Sequence, residues 1–166
     1  MGHEEHKKHR YSLRIGVITV SSTRDEKKDV SGKILKEEIE KNGHKPCGYE
    51  VVKDDKIEIL HALFSMLRVC DAVIVNGGTG ISRKDVTYDS VVKNFDKELV
   101  GFGEIFRKIS YDEIGTAAMM SRATAGIIEG RVVFLTPGSP NAVRTASSLI
   151  FSEIEHIWYE MHKEKV

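Results

Sequence analysis

The stretch Arg14–Val20 is a near-continuous apolar run closed by the hydroxyl cluster Ser21-Ser22-Thr23. A run of that kind suits a strand buried on both faces, which belongs in the middle of a parallel sheet. The segments after it keep one rhythm. Val30–Asn42 carries Val30, Ile34, Leu35 and Ile39 at helical spacing and closes on Asn42-Gly43. Tyr49–Lys53 predicts a second strand, and Lys56–Arg68 a second helix with Ile57, Leu60, Leu63, Phe64 and Leu67 on one face. Asp71–Asn76 predicts a third strand. Such β-α-β-α-β alternation implies right-handed crossovers and helices on both faces, with ligands held beyond the carboxyl ends of the strands.

Farther on, Asp89–Ile109 reads as helices, with Gly101 and Gly103 as a break between them. Thr124–Ile128 and Arg131–Leu135 are joined by Glu129-Gly130, the two-residue spacing of a β-hairpin, so one strand is expected to be antiparallel. Pro140–Lys163 predicts a long amphipathic helix facing the core through Ala142, Ala146, Leu149, Ile150, Ile154, Ile157 and Met161. The expected fold is α/β, a three-layer αβα arrangement with a mostly parallel sheet and one antiparallel strand. At 166 residues the chain has room for one domain, expected over 13–166 after a flexible tail at 1–12.

Twenty-five Lys plus Arg balance twenty-five Asp plus Glu, so no global field exists to hold nucleic acid or an anionic membrane, and any anion must be bound locally. No apolar run reaches the roughly 18 residues of a membrane span. Met1–Arg10 lacks the apolar core of a secretory signal, so a cytoplasmic address is expected. In that segment His3, His6 and His9 recur every third residue, which suits either a transition-metal site or, with nothing apolar to anchor it, a solvated frayed terminus. Cys47 and Cys70 have no metal-ligand spacing and read as buried thiols rather than as a bridge or a nucleophile.

Four loops carry more polar and glycine residues than plain connections need. The first joins Thr19-Val-Ser21 to Asp29-Val-Ser31-Gly32, where Asp29 suits an N-cap. The second places Asp54 and Asp55 just past a strand, and only one of them is needed to cap the next helix. The third, Asn76-Gly77-Gly78-Thr79-Gly80 running to Ser82-Arg83-Lys84-Asp85-Val86-Thr87, puts three glycines where backbone N–H groups can meet an anion, yet fits neither the Walker nor the dinucleotide spacing. The fourth, Thr136-Pro137-Gly138-Ser139-Pro140-Asn141, combines an N-cap serine with an N1 proline. Ser121-Arg122 adds a guanidinium able to meet phosphate or an ion-pair partner. Carboxylates beside an anion site make chemical sense with Mg²⁺ between them, which points to nucleotide or phosphoryl chemistry.

Taken in order, these segments resemble the MoaB/MogA family of molybdenum-cofactor biosynthesis proteins, whose fold also occurs in the gephyrin G domain. The likeness runs from about Arg14 to the last helix. It is carried by Thr19-Val-Ser21, Asp29-x-Ser31-Gly32, Val52-x-Asp54, Gly77–Gly80 with Asp85-Val-Thr87, Ala118-Met-x-Ser121-Arg122 with Ala125-Gly126, and Pro137-Gly-x-Pro140. Gly101-Phe-Gly-Glu104-Ile-Phe-Arg107 with Ile114–Ala118 looks like MoaB in particular.

The resemblance implies adenylylation of molybdopterin by Mg-ATP with release of pyrophosphate, or, as the alternative, a non-catalytic molybdopterin carrier. It implies Asp54 and Asp85 as the acids that organise Mg²⁺ and phosphates, with Lys84, Arg83 and Arg122 neutralising charge. Ser21, Asp29, Ser31, Gly77, Gly78, Thr79 and Gly80 would line the nucleotide region. Glu104, Ser110, Ser121, Pro137, Gly138, Ser139 and Asn141 would border the pterin. Trimers, or hexamers of two trimers, are implied as well, and other pathway proteins as partners. Two positions depart from the family pattern: Lys84 stands where relatives often have Arg, which removes a bidentate fork, and Tyr88-Asp89 stands where Pro-Glu is common.

Overall fold

A computed structural model describes residues 10–165. Six strands form one sheet in the order β2-β1-β3-β6-β5-β4. They are β1 Arg14–Val20, β2 Lys45–Val52, β3 Ala72–Asn76, β4 Lys97–Leu99, β5 Thr124–Ile128 and β6 Arg131–Thr136. The helices are α1 Val30–Lys41, α2 Lys56–Leu67, α3 Thr87–Val91, α4 Val100–Ile114 and α5 Pro140–His162. β1 pairs in parallel with β2 and β3, and β3 with β6. Among these six described strands only β5 runs the other way, antiparallel to both β6 and β4.

The apolar runs are continuous because both faces of the sheet are covered. In β3, Ala72 and Ile74 face α1, α4 and α5 through Leu35, Ile39, Phe106, Val143 and Ile150. Val73 and Val75 face α2 and α3 through Ile59, Leu63, Met66 and Val91. This is the expected three-layer arrangement, with its core split by the sheet. Tyr11 also packs on the first core, and its N–H donates to Glu155 Oε2 at 3.0 Å. The histidines His3, His6 and His9 lie outside the described residues.

Two expectations are corrected. Residues 89–109 are not two helices parted at the glycines: a short 3₁₀ turn, Val92–Asn94, leads into β4, and α4 then runs unbroken through Gly101 and Gly103. Gly103 is a packing position, since a Cβ there would run into the Ala123 carbonyl and the Arg107 guanidinium. Nor are the cysteines free. Cys47, near the start of β2, and Cys70, just before β3, form a disulfide with Cα atoms 5.8 Å apart. The return of α2 brings these ends together, a proximity the 23-residue separation does not reveal. Among the described residues no helix is long and apolar enough to cross a membrane.

Candidate functional site

Because β1, β2, β3 and β6 run the same way, the four polar loops open on one sheet edge. The reversed β5 brings Ser121–Ala123 to that edge, and β4 delivers the start of α4 there.

On the β1 side the polar groups are tied to one another. Asp29 caps α1, its Oδ1 accepting from Gly32 N at 3.0 Å. Its Oδ2 accepts from Thr19 Oγ1 and from the Tyr49 hydroxyl, each at 2.6 Å. Thr19 Oγ1 in turn accepts from Asn76 Nδ2 at 2.9 Å. Burial, helped by the bond to Asp29, pushes the Tyr49 phenol well up from its usual value, so it stays a donor. Asp29 is buried, and both of its carboxylate oxygens accept bonds within the fold. Ser31 and Arg24 both donate to the Gly138 carbonyl, at 2.7 and 3.0 Å, tying the first loop to the fourth. Ser21 Oγ accepts from Arg24 N at 3.1 Å and holds its own turn.

The second loop is more open. Asp54 Oδ2 accepts from Ser22 N and Ser22 Oγ at 3.1 and 2.7 Å, while its Oδ1 has no partner among the described residues. Neighbouring Asp55 is the cap of α2, accepting from Glu58 N at 3.0 Å.

In the third loop, Gly77 and Gly78 take φ of 99° and 72°, a region that favours glycine. A Cβ at Gly77 would meet the Val20 carbonyl, and one at Gly78 the Thr87 hydroxyl, so the chain folds back tightly over the strand ends. Gly77 N donates to Thr136 O at 2.8 Å, and Thr87 N to Gly78 O at 3.0 Å. Asp85 closes the turn: its Oδ2 accepts from Ser82 N at 3.0 Å, leaving Oδ1 without a partner among the described residues. Arg83 and Lys84 beside it are exposed. Around this loop three buried polar atoms have no hydrogen-bond partner among the described residues: Asn76 Oδ1, Thr87 Oγ1 and Thr136 Oγ1.

Arg122 holds the loop from the β5 side. Its backbone N–H donates to Thr79 O at 2.9 Å, and its guanidinium donates to Gly80 O at 3.0 Å and bidentately to Asp89 at 2.9 and 3.0 Å. Those bonds hold the Asp89 carboxyl below its usual range. The guanidinium also lies over the Tyr88 ring, 4.9 Å from its centre. Arg107 reaches from α4 to the carbonyls of Ser121 and Ala123, at 3.3 and 2.8 Å.

The fourth loop is built as its residue types suggest. Ser139 caps α5, accepting from Ala142 N at 3.2 Å, with Pro140 first in the helix, Asn141 exposed, and Pro137 and Gly138 half-buried. Glu104 is exposed on α4, whereas Ser110 is buried on the same face as Gly103 and Phe106 and packs inward. Sequence reasoning did not single out Thr19 with Tyr49 and Asn76 as one network, nor Arg24, Arg107 or Glu98. Their partners lie ten or more residues away, from Thr19–Asp29 at ten to Arg24–Gly138 at 114, and only the hydroxyl cluster gave a local signal.

Residues 16–156 match the family described as "Probable molybdopterin binding domain". The chain is 49% identical over 165 residues to "Molybdopterin adenylyltransferase" of Pyrococcus furiosus, covering 95% of this chain and 96% of the relative. It is 47% identical over 165 residues to "Molybdenum cofactor biosynthesis protein B" of Bacillus cereus, covering 96% and 98%. The crystal structure of the tungsten cofactor synthesizing protein MoaB of Pyrococcus furiosus superposes with a TM-score of 0.85 at 45% identity, over 92% of this chain and 99% of that one. A crystal structure of molybdenum cofactor biosynthesis protein B superposes with a TM-score of 0.88 at 48% identity, over 92% and 98%.

Proposed function

Because the chain belongs to the MoaB/MogA family of molybdenum-cofactor biosynthesis proteins, we propose that it binds molybdopterin and transfers AMP to it from Mg-ATP, releasing pyrophosphate. One observation carries this reading. Asp54 and Asp85 each keep one carboxylate oxygen without a partner among the described residues, on loops that open at the same sheet edge as the Gly77–Gly80 turn.

The terminal phosphate oxygen of molybdopterin bonds to the α-phosphorus of ATP as the bond to the β-phosphate bridging oxygen breaks. That nucleophile is already an anion, so no side chain has to remove a proton, and catalysis rests on alignment and on neutralising charge. The turn at Gly77–Gly80 supplies close backbone approach for phosphates. Lys84 and Arg83 are the exposed cations next to Asp85, while Arg122 shapes the loop through Gly80 and Asp89. Two carboxylates with a free oxygen each fit Mg²⁺, which takes one or two protein carboxylates together with substrate phosphates; held by Asp54 and Asp85, it would offset the charge of the polyphosphate. Asp29, Ser31 and Ser139 act through the shape of the loops.

Assembly into trimers, or two stacked trimers, belongs to the same proposal. It is supported by exposed apolar side chains along and after α4: Val100, Ile105, Ile114 and Met119. So does a cytoplasmic address.

The test is mass spectrometry of the products after mixing protein, molybdopterin and Mg-ATP. Adenylyl-molybdopterin with stoichiometric pyrophosphate is expected. Tight molybdopterin binding with no pyrophosphate released overturns the transfer reaction and leaves a carrier.

A further inference from the structure

Beside the glycine turn lies a cavity of about 260 Å³ whose walls include Tyr88, Glu98, Arg107, Ser121, Arg122 and Thr124. Arg122 is common to both places: it donates to Thr79 O and Gly80 O on the turn and lies over the Tyr88 ring in the cavity. A ligand with phosphate at the turn and a planar ring beyond it therefore meets this cavity with its ring. Among the described residues that line it there is one acid. Glu98, on the edge strand β4 opposite Gly126, is exposed, and its Oε1 accepts from the Thr124 hydroxyl at 2.9 Å and, at a long 3.4 Å, from the Tyr88 hydroxyl. Thr124 is buried and fixes the carboxylate, whereas the Tyr88 bond is long enough to be exchanged for a better one. Glu98 Oε2 has no partner among the described residues.

Resting on the molybdopterin reading above, we propose that Glu98 is the specificity residue of this site: its carboxylate accepts the side-by-side N–H donors of a 2-amino-4-oxopyrimidine edge. In such a ring the 2-amino group and N3–H point the same way, matching the two oxygens of one carboxylate. Adenine presents a donor next to an acceptor nitrogen, which a carboxylate repels. The charge of Glu98 thus directs the pterin to the cavity and keeps the adenine of ATP out of it. A site built to accept N–H groups also rejects analogues that replace one by a carbonyl, because its acceptor then faces another acceptor. The guanidinium of Arg122 on Tyr88 makes one wall flat, suited to a fused bicyclic ring.

The experiment measures dissociation constants of molybdopterin and of ATP, separately, for the full chain and for Glu98→Gln and Glu98→Ala. Pterin (2-amino-4-oxopteridine) and lumazine (2,4-dioxopteridine) serve as competitors. Both substitutions are expected to weaken molybdopterin roughly 10-fold or more, the worth of a charge-assisted hydrogen bond. ATP affinity is expected to stay within about twofold and melting temperature unchanged. Pterin should displace molybdopterin better than lumazine from the unaltered protein, a preference lost in Glu98→Gln. Molybdopterin affinity within twofold in both variants, or equal competition by the two pteridines, overturns the proposal. So does a loss that extends equally to ATP or follows a lowered melting temperature, since Glu98 then acts through the fold. An unaltered protein that binds no molybdopterin overturns the functional reading itself, and the assignment of Glu98 with it.

Discussion

Asp29 and Asp85 follow two neighbouring parallel strands on the same edge of the sheet, and their surroundings are opposite. Asp29 is buried, with bonds from Thr19, Tyr49 and Gly32. Asp85 is partly exposed, accepts from Ser82 N and keeps an oxygen without a partner among the described residues. A carboxylate whose two oxygens both accept bonds from its own fold stabilises the loop it sits in. One that keeps an oxygen facing outward is available to a ligand. The difference separates the filled scaffold around Asp29 from the carboxylates of Asp54, Asp85 and Glu98, each of which keeps an oxygen without a partner among the described residues.

Two substitutions test that division directly, and two further outcomes test the fold around it. The largest is expected at Asp85→Ala, with AMP transfer to molybdopterin falling on the order of 1,000-fold while melting temperature stays near that of the unaltered chain. Pyrophosphate release and a thermal melt read both. Asp29→Ala should do the reverse, costing about 4 kcal/mol of stability by stranding two hydroxyl donors and removing the α1 cap. Urea denaturation measures it, and a stable Asp29→Ala protein would erase the scaffold side of the comparison.

Reducing the disulfide, which closes a 23-residue separation near the starts of β2 and β3, is expected to cost about 3 kcal/mol. The rate of AMP transfer should not change, because those ends lie on the opposite edge of the sheet. Denaturation with and without reductant, beside a rate assay of the folded protein, separates the two effects.

The smallest effect concerns His44, whose buried Nδ1 accepts from Leu13 N at 3.1 Å. Burial lowers its pKa and outweighs Glu155, whose Oε1 lies 3.9 Å from Nε2. The neutral ring is thus favoured by folding. Its contribution is complete above the unfolded value of about 6.5 and is lost as pH falls from there through the lower folded value. Melting temperatures between pH 7.5 and 5 should fall more steeply for the unaltered protein than for His44→Gln.

The parts of the fold written in local patterns were legible. Arg14–Val20, Val30–Lys41, the hairpin around Glu129-Gly130 and the capped start of the last helix all appear where periodicity and caps put them. β4 was not legible, because three residues, Lys97–Leu99, carry no measurable period and become a strand only by lying along β5. Gly101 and Gly103 misled because glycine marks a break and a close approach with the same letter. In the site, the glycine turn and the acids past the strand ends were visible as residue types at loop positions. The division between Asp29 and Asp85 was not, since Thr19 and Tyr49 stand ten and twenty residues from Asp29 and Asn76 stands fifty-seven from Thr19.

The sequence by itself determined the layering, the edge where the loops gather and the family, because apolar spacing, turn residues and ordered motifs are properties of short segments. Only the tertiary structure decided which acids are filled and which remain open, that Cys47 meets Cys70, and that Glu98 stands beside Arg122 in one cavity. The physical reason is that a polar group has few bonds to make, and how many are taken is set by residues brought from elsewhere in the chain.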